Sequence, residues 1–311
     1  MNDMPMKMII DTDPGVDDAM AILYAARTPE IDLLGLTTVF GNVPIHIATR
    51  NALRLAEMAG LDIPVAEGAA APLVRDFVPS SRVHGAEGFG AVPALNPQRE
   101  ALRETAADFL CRMARDHRGE MTICAIGPIT NVAEAIRRDP DFVRNVRKIV
   151  FMGGAAHVPG NITPHAEANI YHDPHALTEV LASGASVTMV GLDVTMQVLC
   201  NAEDFAALAV ADPEHGGFLR DASVHYLDFY REIGQPGCGL HDPAAVIACH
   251  RPDLFETRPI QIHVVENGVE AGRTRPEAMG TVPAIEVCLG GQMDEVKALF
   301  LAAFAAGPDV G

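Results

Sequence analysis

The sequence predicts an α/β fold in which a mostly parallel central sheet is flanked by helices on both faces. Short apolar runs rich in β-branched residues alternate with longer segments of helical period along the chain. This alternation is typical of βαβ units. No Pro-rich or Ser/Gly-rich linker divides the chain and no repeat of fixed period appears. We therefore expect one domain over residues 1–311, an open Rossmann-like α/β fold.

Strands and helices alternate through the first two thirds of the chain. Strands are predicted at residues 6–10, 33–39, 63–66, 121–126, 148–152 and 187–192. Helices are predicted at residues 18–27, 45–59 and 101–116, after Asn131 and after Pro174. Two helices over 202–233 and one over 242–249 come next. Strands at 260–265 and 283–289 precede a last amphipathic helix over 294–305.

The charge balance argues against a nucleic-acid partner. The chain has 41 acidic and 23 basic residues, a formal net charge of −18, and no basic cluster that could follow a phosphate backbone. No apolar run has the roughly 18 residues that a membrane span needs, and no signal segment appears at the N-terminus. We expect a cytoplasmic protein that binds a small molecule and contacts neither nucleic acid nor membrane.

Several loops follow predicted strands directly. These are the run from Asp11 to Asp18 and the segments 40–42, 125–131 and 151–154. In open α/β sheets, ligands bind outside the carboxyl ends of the strands, so we expect these loops to converge on one crevice.

The run from Asp11 to Asp18 (DTDPGVDD) places four carboxylates within eight residues between a strand and a helix. Such carboxylates repel one another, and a hard divalent cation relieves the repulsion best. Capping of the following helix is the plain alternative for Asp17 and Asp18. An EF-hand is excluded, because its fifth, sixth and twelfth positions would be Gly15, Val16 and Ile22.

The same run leaves a phosphatase open as a second interpretation. Asp11 and Asp13 are spaced like the nucleophile and acid of haloacid-dehalogenase-type phosphatases. In this chain Gly15 is followed by Val16, Asp17 and Asp18, and these residues are not expected after the glycine in that family.

Two further groups could serve a sugar substrate. Asn161, Glu167 and Asn169 offer amide and carboxylate groups that can grip several hydroxyls, although a polar surface loop is an equally simple explanation. His241 and Asp242 offer an imidazole for acid chemistry and a distant carboxylate for a cation, or only a capped helix start.

Taken together, these motifs resemble the inosine-uridine preferring nucleoside hydrolases. The resemblance rests on DTDPGVDDA from Asp11 and on six further segments of the chain in matching order. These are Gly41-Asn42, HGAEG from His84, GPITN from Gly127, FMGG from Phe151, the segment 161–169, and His241-Asp242-Pro243. It covers the chain from the first strand to about residue 250.

The resemblance implies hydrolysis of the N-glycosidic bond of purine or pyrimidine ribonucleosides to ribose and free base, as in nucleoside salvage. It implies one Ca²⁺ held by Asp13, Asp18, Asp242 and the carbonyl of Ile126. Asp13 would also act as general base on a metal-bound water, and Asp11 would support it by hydrogen bonding. A homodimer or homotetramer is implied as well.

The resemblance also assigns the substrate contacts. His241 would protonate the leaving base. His84 and the aromatic residues Phe89, Tyr226, Phe229 and Tyr230 are candidates to cover it, although aromatic residues at helical spacing are also typical of a core. The ribose would be held by Asp17, Asn42, Asn161, Glu167 and Asn169, with Met152 lining the sugar pocket.

Two positions depart from the pattern. Ala168 stands where a larger, often aromatic residue is expected, and Glu87 stands for an expected Asp. Both affect the base preference and not the reaction. A protein that binds nucleosides with calcium but does not cleave them is a third interpretation, although it would not need Asp13.

Overall fold

The computed structural model describes residues 4–77, 79–278 and 282–305, and its strands form two sheets. The larger sheet has nine strands in the order β10-β9-β11-β6-β5-β4-β1-β2-β3, and β7 pairs with β8 in the smaller sheet. The strands are β1 (Met6–Thr12), β2 (Ile31–Thr38), β3 (Val65–Glu67), β4 (Thr122–Ala125), β5 (Lys148–Met152), β6 (Val187–Val190), β7 (Leu199–Cys200), β8 (Cys238–Gly239), β9 (Phe255–Val264), β10 (Thr274–Glu277) and β11 (Ile285–Gly291).

Helices cover the large sheet and connect its parallel strands. They are α1 (Val16–Ala26), α2 (Ile45–Met58), α3 (Ser81–His84), α4 (Ala106–Asp116), α5 (Thr130–Arg138), α6 (Phe142–Asn145), α7 (Ala168–His172), α8 (Pro174–Ala182), α9 (Leu192–Thr195), α10 (Ala202–Ala211), α11 (His215–Glu232), α12 (His241–His250) and α13 (Met293–Ala305). Within the described ranges, no helix is long and apolar enough to cross a membrane.

The predicted fold class is confirmed. β1 pairs in parallel with β2 on one side and with β4 on the other, and parallel pairing continues through β5 and β6 to β11. β1 is buried from Met8 onward, and two apolar clusters of buried residues include its side chains, Ile10 in one and Ile9 in the other. Strands buried on both faces read as continuous apolar runs, which explains why the sequence pattern revealed them.

The helix predicted from residue 101 was placed too early. α4 begins at Ala106, where the Thr105 side chain accepts a hydrogen bond from the Asp108 amide. Leu102 is held as an isolated bridge beside Ala66, and its amide donates to the Val65 carbonyl at 2.8 Å. Pairing with the sheet edge thus overrides local helical preference over residues 101–105.

The C-terminal part contains one strand more than predicted. β9 begins at Phe255, and β10 pairs antiparallel with it at the sheet edge. The sequence of β10 is TRPE, which has no apolar alternation and contains Pro276. Proline in a sheet is largely confined to edge strands, so this strand lacks the usual sequence signal.

Candidate active site

The loop between β1 and α1 carries the acidic run. Gly15 precedes the helix in an extended conformation, and Asp17 and Asp18 lie in its first turn, where free amides favour negative charge. One Asp18 oxygen accepts from the Thr12 hydroxyl at 2.5 Å and the Asp13 amide at 3.2 Å. The other accepts from the Gly15 amide at 2.8 Å and from Asn42 Nδ2 at 3.0 Å. Asp18 is therefore fixed by four donors.

Asp13 and Asp17 are also buried, but each keeps one oxygen without a partner. Asp13 Oδ2 accepts from the Asn42 amide at 2.6 Å, and Asp17 Oδ2 accepts from the Tyr226 hydroxyl at 3.1 Å. Asp13 Oδ1 and Asp17 Oδ1 have no hydrogen-bond partner among the described residues. An unpaired buried carboxylate oxygen is costly, so both atoms are suited to a ligand.

Three carboxylates come together as a possible cation site. Asp17, Asp18 and Asp242 each offer an oxygen, and these atoms all lie within 4.8 Å of one another. Burial, followed by repulsion from Asp17, Asp18 and Asp13, raises the pKa of Asp242 well above its usual value. Burial and repulsion from Asp18 do the same to Asp13. Buried oxygen ligands that repel one another fit a hard divalent cation.

Asp11 has a different environment from its neighbours. Its Oδ1 accepts from the Thr37 hydroxyl at 2.6 Å and from Asn131 Nδ2 at 2.7 Å. The residue is fully buried and does not line the pocket, and burial raises its pKa to about 7. Asp11 thus ties β1 to β2 and α5, through partners that lie outside the residues lining the pocket.

His241 begins α12 and lies between two hydroxyl groups. The Thr195 hydroxyl is 2.7 Å from its Nδ1, and the Tyr230 hydroxyl is 2.6 Å from its Nε2. Burial lowers the pKa of His241 to about 4. The sequence suggested an imidazole that titrates near neutrality; in the folded chain it is neutral there, because burial disfavours the charged form.

His84 lines the same pocket as His241. Its Nδ1 accepts from the Val16 amide at 3.2 Å and lies 3.7 Å from Asp17 Oδ1. Its ring lies 5.2 Å from the Tyr226 ring, and burial lowers its pKa to about 4. A neutral His84 therefore packs between α1 and α11.

The polar residues of segment 161–169 lie beside the ends of β4 and β5. Glu167 caps α7 and accepts from the amides of Gly154, Asn169 and Ile170. Burial raises its pKa to about 7. Asn169 Nδ2 donates to the carbonyl of Ile126 at 2.8 Å and to that of Met152 at 3.1 Å. These contacts tie the segment to the strand ends, as the parallel sheet predicted.

One cavity of about 440 Å³ brings these groups together. Of the residues predicted from the sequence, it is lined by Asp17, Asn42, His84, Ile126, Met152, Asn161, Glu167, Asn169, Tyr230, His241 and Asp242. Asp13 and Asp18 are buried next to this set, in contact with Asn42. Asp11 is more remote.

Sequence reasoning missed several contributors to the pocket. Thr195, beside His241, lies in a four-residue helix that carries no motif. The other lining residues include a mainly apolar set, which we call the far end of the cavity: Ser80, Val83, Val158, Ile162, Met196, Phe229, Ile233 and Gln235. Only Phe229 among these was considered, as a possible cover for a base. Scattered apolar residues carry no chemical signature, so the sequence offered no signal for the others.

A family model described as inosine-uridine preferring nucleoside hydrolase matches residues 8–298. The chain belongs to this family. This nucleoside hydrolase is 46% identical over 276 residues to uridine nucleosidase 1 of Arabidopsis thaliana, covering 86% of this chain and 81% of the relative. It is 40% identical over 275 residues to a non-specific ribonucleoside hydrolase of Klebsiella pneumoniae, covering 87% and 88%.

Solved structures agree with the sequence relatives. A plant nucleoside hydrolase superposes with a TM-score of 0.93 at 37% identity, covering 97% of this chain and 99% of the other. A purine-preferring ribonucleoside hydrolase from Gardnerella vaginalis gives 0.92 at 34% identity, covering 96% and 98%. This nucleoside hydrolase is therefore an enzyme of a metal-dependent family, and its aspartate cluster could bind a metal.

Proposed function

We propose that this nucleoside hydrolase cleaves the N-glycosidic bond of purine and pyrimidine ribonucleosides in a Ca²⁺-dependent reaction, releasing ribose and the free base. The observation that carries the proposal is the group of buried carboxylates at the polar end of a single pocket. Relatives named for uridine, for purines and for no specific base support a broad substrate range.

The proposed ligands are Asp13, Asp18, Asp242 and the carbonyl of Ile126. The geometry groups Asp18 and Asp242 with Asp17, whereas Asp13 and Ile126 are included because of the family resemblance. All of these are hard oxygen donors, which Ca²⁺ accepts in larger number and more flexible geometry than Mg²⁺ does. When bound, the ion would supply a positive charge that orients the sugar diol and acidifies water.

Asp13 is the general base in this proposal. Its Oδ2 is fixed by the Asn42 amide, and its Oδ1 remains available to accept a proton from the attacking water. In the chain without a cation, burial and repulsion from Asp18 raise its pKa.

The sugar is held by the polar end of the pocket. Asp17, Asn42, Asn161, Glu167 and Asn169 present carboxylate and amide groups to its hydroxyls, beside Met152. Glycosidic cleavage develops positive charge on the sugar, and a pocket dense in carboxylate and amide oxygens stabilises that charge.

His241 assists the departing base. Burial lowers its pKa to about 4, so the imidazole is neutral; with Nδ1 accepting from Thr195, its Nε2–H would donate to the Tyr230 hydroxyl, which in turn donates to the developing negative charge. Tyr230, whose hydroxyl lies 2.6 Å from Nε2, supports it at the end of the pocket where the base would lie.

Steady-state ribose release from inosine, uridine, cytidine and guanosine tests the reaction and the base preference together. Protein treated with EDTA should lose activity and regain it with Ca²⁺ more fully than with Mg²⁺. Absence of ribose from every riboside in Ca²⁺ would refute the proposed reaction. Equal recovery with Mg²⁺ would refute the calcium assignment alone.

A thermal melt tests the cation site without turnover. Ca²⁺ added to EDTA-treated protein should raise the unfolding midpoint, because a ligand that binds only the folded state stabilises it. Asp242→Asn should abolish this shift, whereas replacement of the exposed Asp62 should preserve it.

A further inference from the structure

Gly41 follows β2 and lies directly against the carboxylate of Asp13. A Cβ atom built on Gly41 would lie 2.7 Å from Asp13 Cγ and closer still to Oδ2, and 2.9 Å from Pro128 Cδ. The backbone of Gly41 does not have a positive φ, so its conformation is open to any residue. The need for glycine at this position is therefore steric, and the group that creates it is the Asp13 side chain.

A second glycine closes the opposite side of the same carboxylate. A Cβ on Gly127 would lie 2.7 Å from Asp13 Oδ1 and 2.9 Å from Val39 Cγ1, and Gly127 also lacks a positive φ. The two carboxylate oxygens thus each face the Cα of a glycine. A carboxylate pushed from the Gly41 side would move Oδ1 towards the backbone of Gly127.

The backbone of Gly41 cannot easily move away either. The Phe40 amide donates to the Ala69 carbonyl at 3.0 Å, and the Gly41 amide donates to the Val43 carbonyl at 3.2 Å. The next amide, that of Asn42, donates to Asp13 Oδ2 itself. Any shift of this segment would break hydrogen bonds, one of them to Asp13.

We propose that Gly41 is a positioning residue for Asp13: the absent side chain lets the backbone and Gly127 hold the carboxylate between them in one orientation. The proposal rests on the proposed function for the role of Asp13 as base. The contact itself can be measured without turnover.

The Gly41→Ala substitution is the direct test. The methyl group forces the Asp13 carboxylate to rotate or shift by about 1 Å, a displacement that commonly costs about 100-fold in rate. We expect kcat for inosine to fall about 100-fold with KM within about threefold, because the sugar contacts of Asn161 and Glu167 remain.

Two glycines elsewhere provide matched controls. A Cβ on Gly35 would lie 2.8 Å from Phe109 Cζ, so Gly35→Ala should lower the unfolding midpoint while leaving kcat intact. A Cβ on Gly217 would meet nothing within 4 Å, so Gly217→Ala in α11 should leave kcat intact and should not lower the unfolding midpoint, since alanine favours the helix more than glycine does. A loss of kcat caused only by destabilisation would appear in Gly35→Ala as well.

A double-mutant cycle on stability separates the contact with Asp13 from any other role of Gly41. In metal-free buffer, Gly41→Ala should lower the unfolding midpoint by several degrees in the natural chain. In the Asp13→Ala background the loss should shrink by at least half, because only the approach to Pro128 remains.

Three outcomes are decisive. The positioning role would be refuted if Gly41→Ala had the same kcat as Gly35→Ala. It would also be refuted if Gly41→Ala lowered the unfolding midpoint equally in the natural chain and in the Asp13→Ala background. A shrinking loss together with the fall in kcat supports it. If the natural chain released no ribose from any riboside, the proposed function would fail, and the stability cycle would still decide whether Asp13 is the reason for glycine at position 41.

Discussion

The two ends of the active-site cavity are built on different physical principles. At the sugar end the carboxylates are buried, and several are fixed by hydrogen bonds, as Asp18 is by four donors, whereas Asn161 is exposed. At the far end, the walls are apolar and partly open to solvent. Val158 is 40% exposed, Ile162 43% and Ile233 52%.

Under the proposed function, this difference separates the reaction from the choice of base. A rigid polar end fixes the bond that is cleaved, because charges in a buried setting act only when correctly placed. An open apolar end holds a flat heterocycle by contact area and discriminates weakly between bases. Substitutions at the sugar end should therefore affect every riboside alike, and substitutions at the far end should depend on the base.

The largest effect is expected at Asp13. Asp13→Asn keeps the shape of the side chain but cannot accept a proton, so kcat should fall by about 10⁴-fold for inosine and uridine alike. Ribose release measures this, with Asp62→Asn as the surface control. A loss that differs strongly between the two nucleosides would contradict the separation of the two ends.

His241 lies at the boundary between the two ends, so its substitution should affect substrates with different leaving groups unequally. His241→Ala should lower kcat for inosine about 100- to 1,000-fold, yet leave p-nitrophenyl riboside nearly unaffected, since p-nitrophenolate leaves without assistance. The exposed His46 gives the control substitution. Equal losses on both substrates would show that His241 acts on the sugar or the fold and not on the leaving group.

The sequence predicted the sugar end far better than the far end, for a physical reason. Asp13, Asp17 and Asp18 are neighbours in one loop, and Asp242 carries a chemical signature, so few motifs sufficed to bring them together. The sequence predicted the parallel sheet equally well, because its buried strands are continuous apolar runs.

The sequence did not predict the residues of the far end. Ser80, Val158 and Ile233 come from three separate segments that meet only in the folded chain, and none bears a reactive group. The same holds for Thr195, whose role depends on a single contact with His241. Residues that act by shape or by one distant contact leave no local pattern.

Phe229 tests the apolar end directly. Its ring packs edge-on against Tyr230 with centroids 5.7 Å apart, and it lines the cavity. Phe229→Ala should raise KM for inosine about tenfold with kcat nearly unchanged, because contact area is lost equally in the ground and transition states. Val224→Ala, on an exposed face of the same helix, is the control. A selective fall in kcat would place Phe229 in the chemistry instead.

The smallest effect is expected at Gln235, the amide at this apolar end. It is half-buried, and its side chain makes no hydrogen bond within the described part of the chain. A carboxamide can donate to a carbonyl and accept from an adjacent N–H, which matches one edge of uracil. One neutral hydrogen bond is worth about 1 kcal/mol, or about fivefold.

A methylated substrate isolates that hydrogen bond. Gln235→Ala should lower kcat/KM for uridine about fivefold and leave 3-methyluridine, which lacks the N–H, nearly unchanged. The preference of the natural chain for uridine over 3-methyluridine should shrink by the same factor. If the variant keeps the full preference, the amide faces solvent, and the far end selects the base by shape alone.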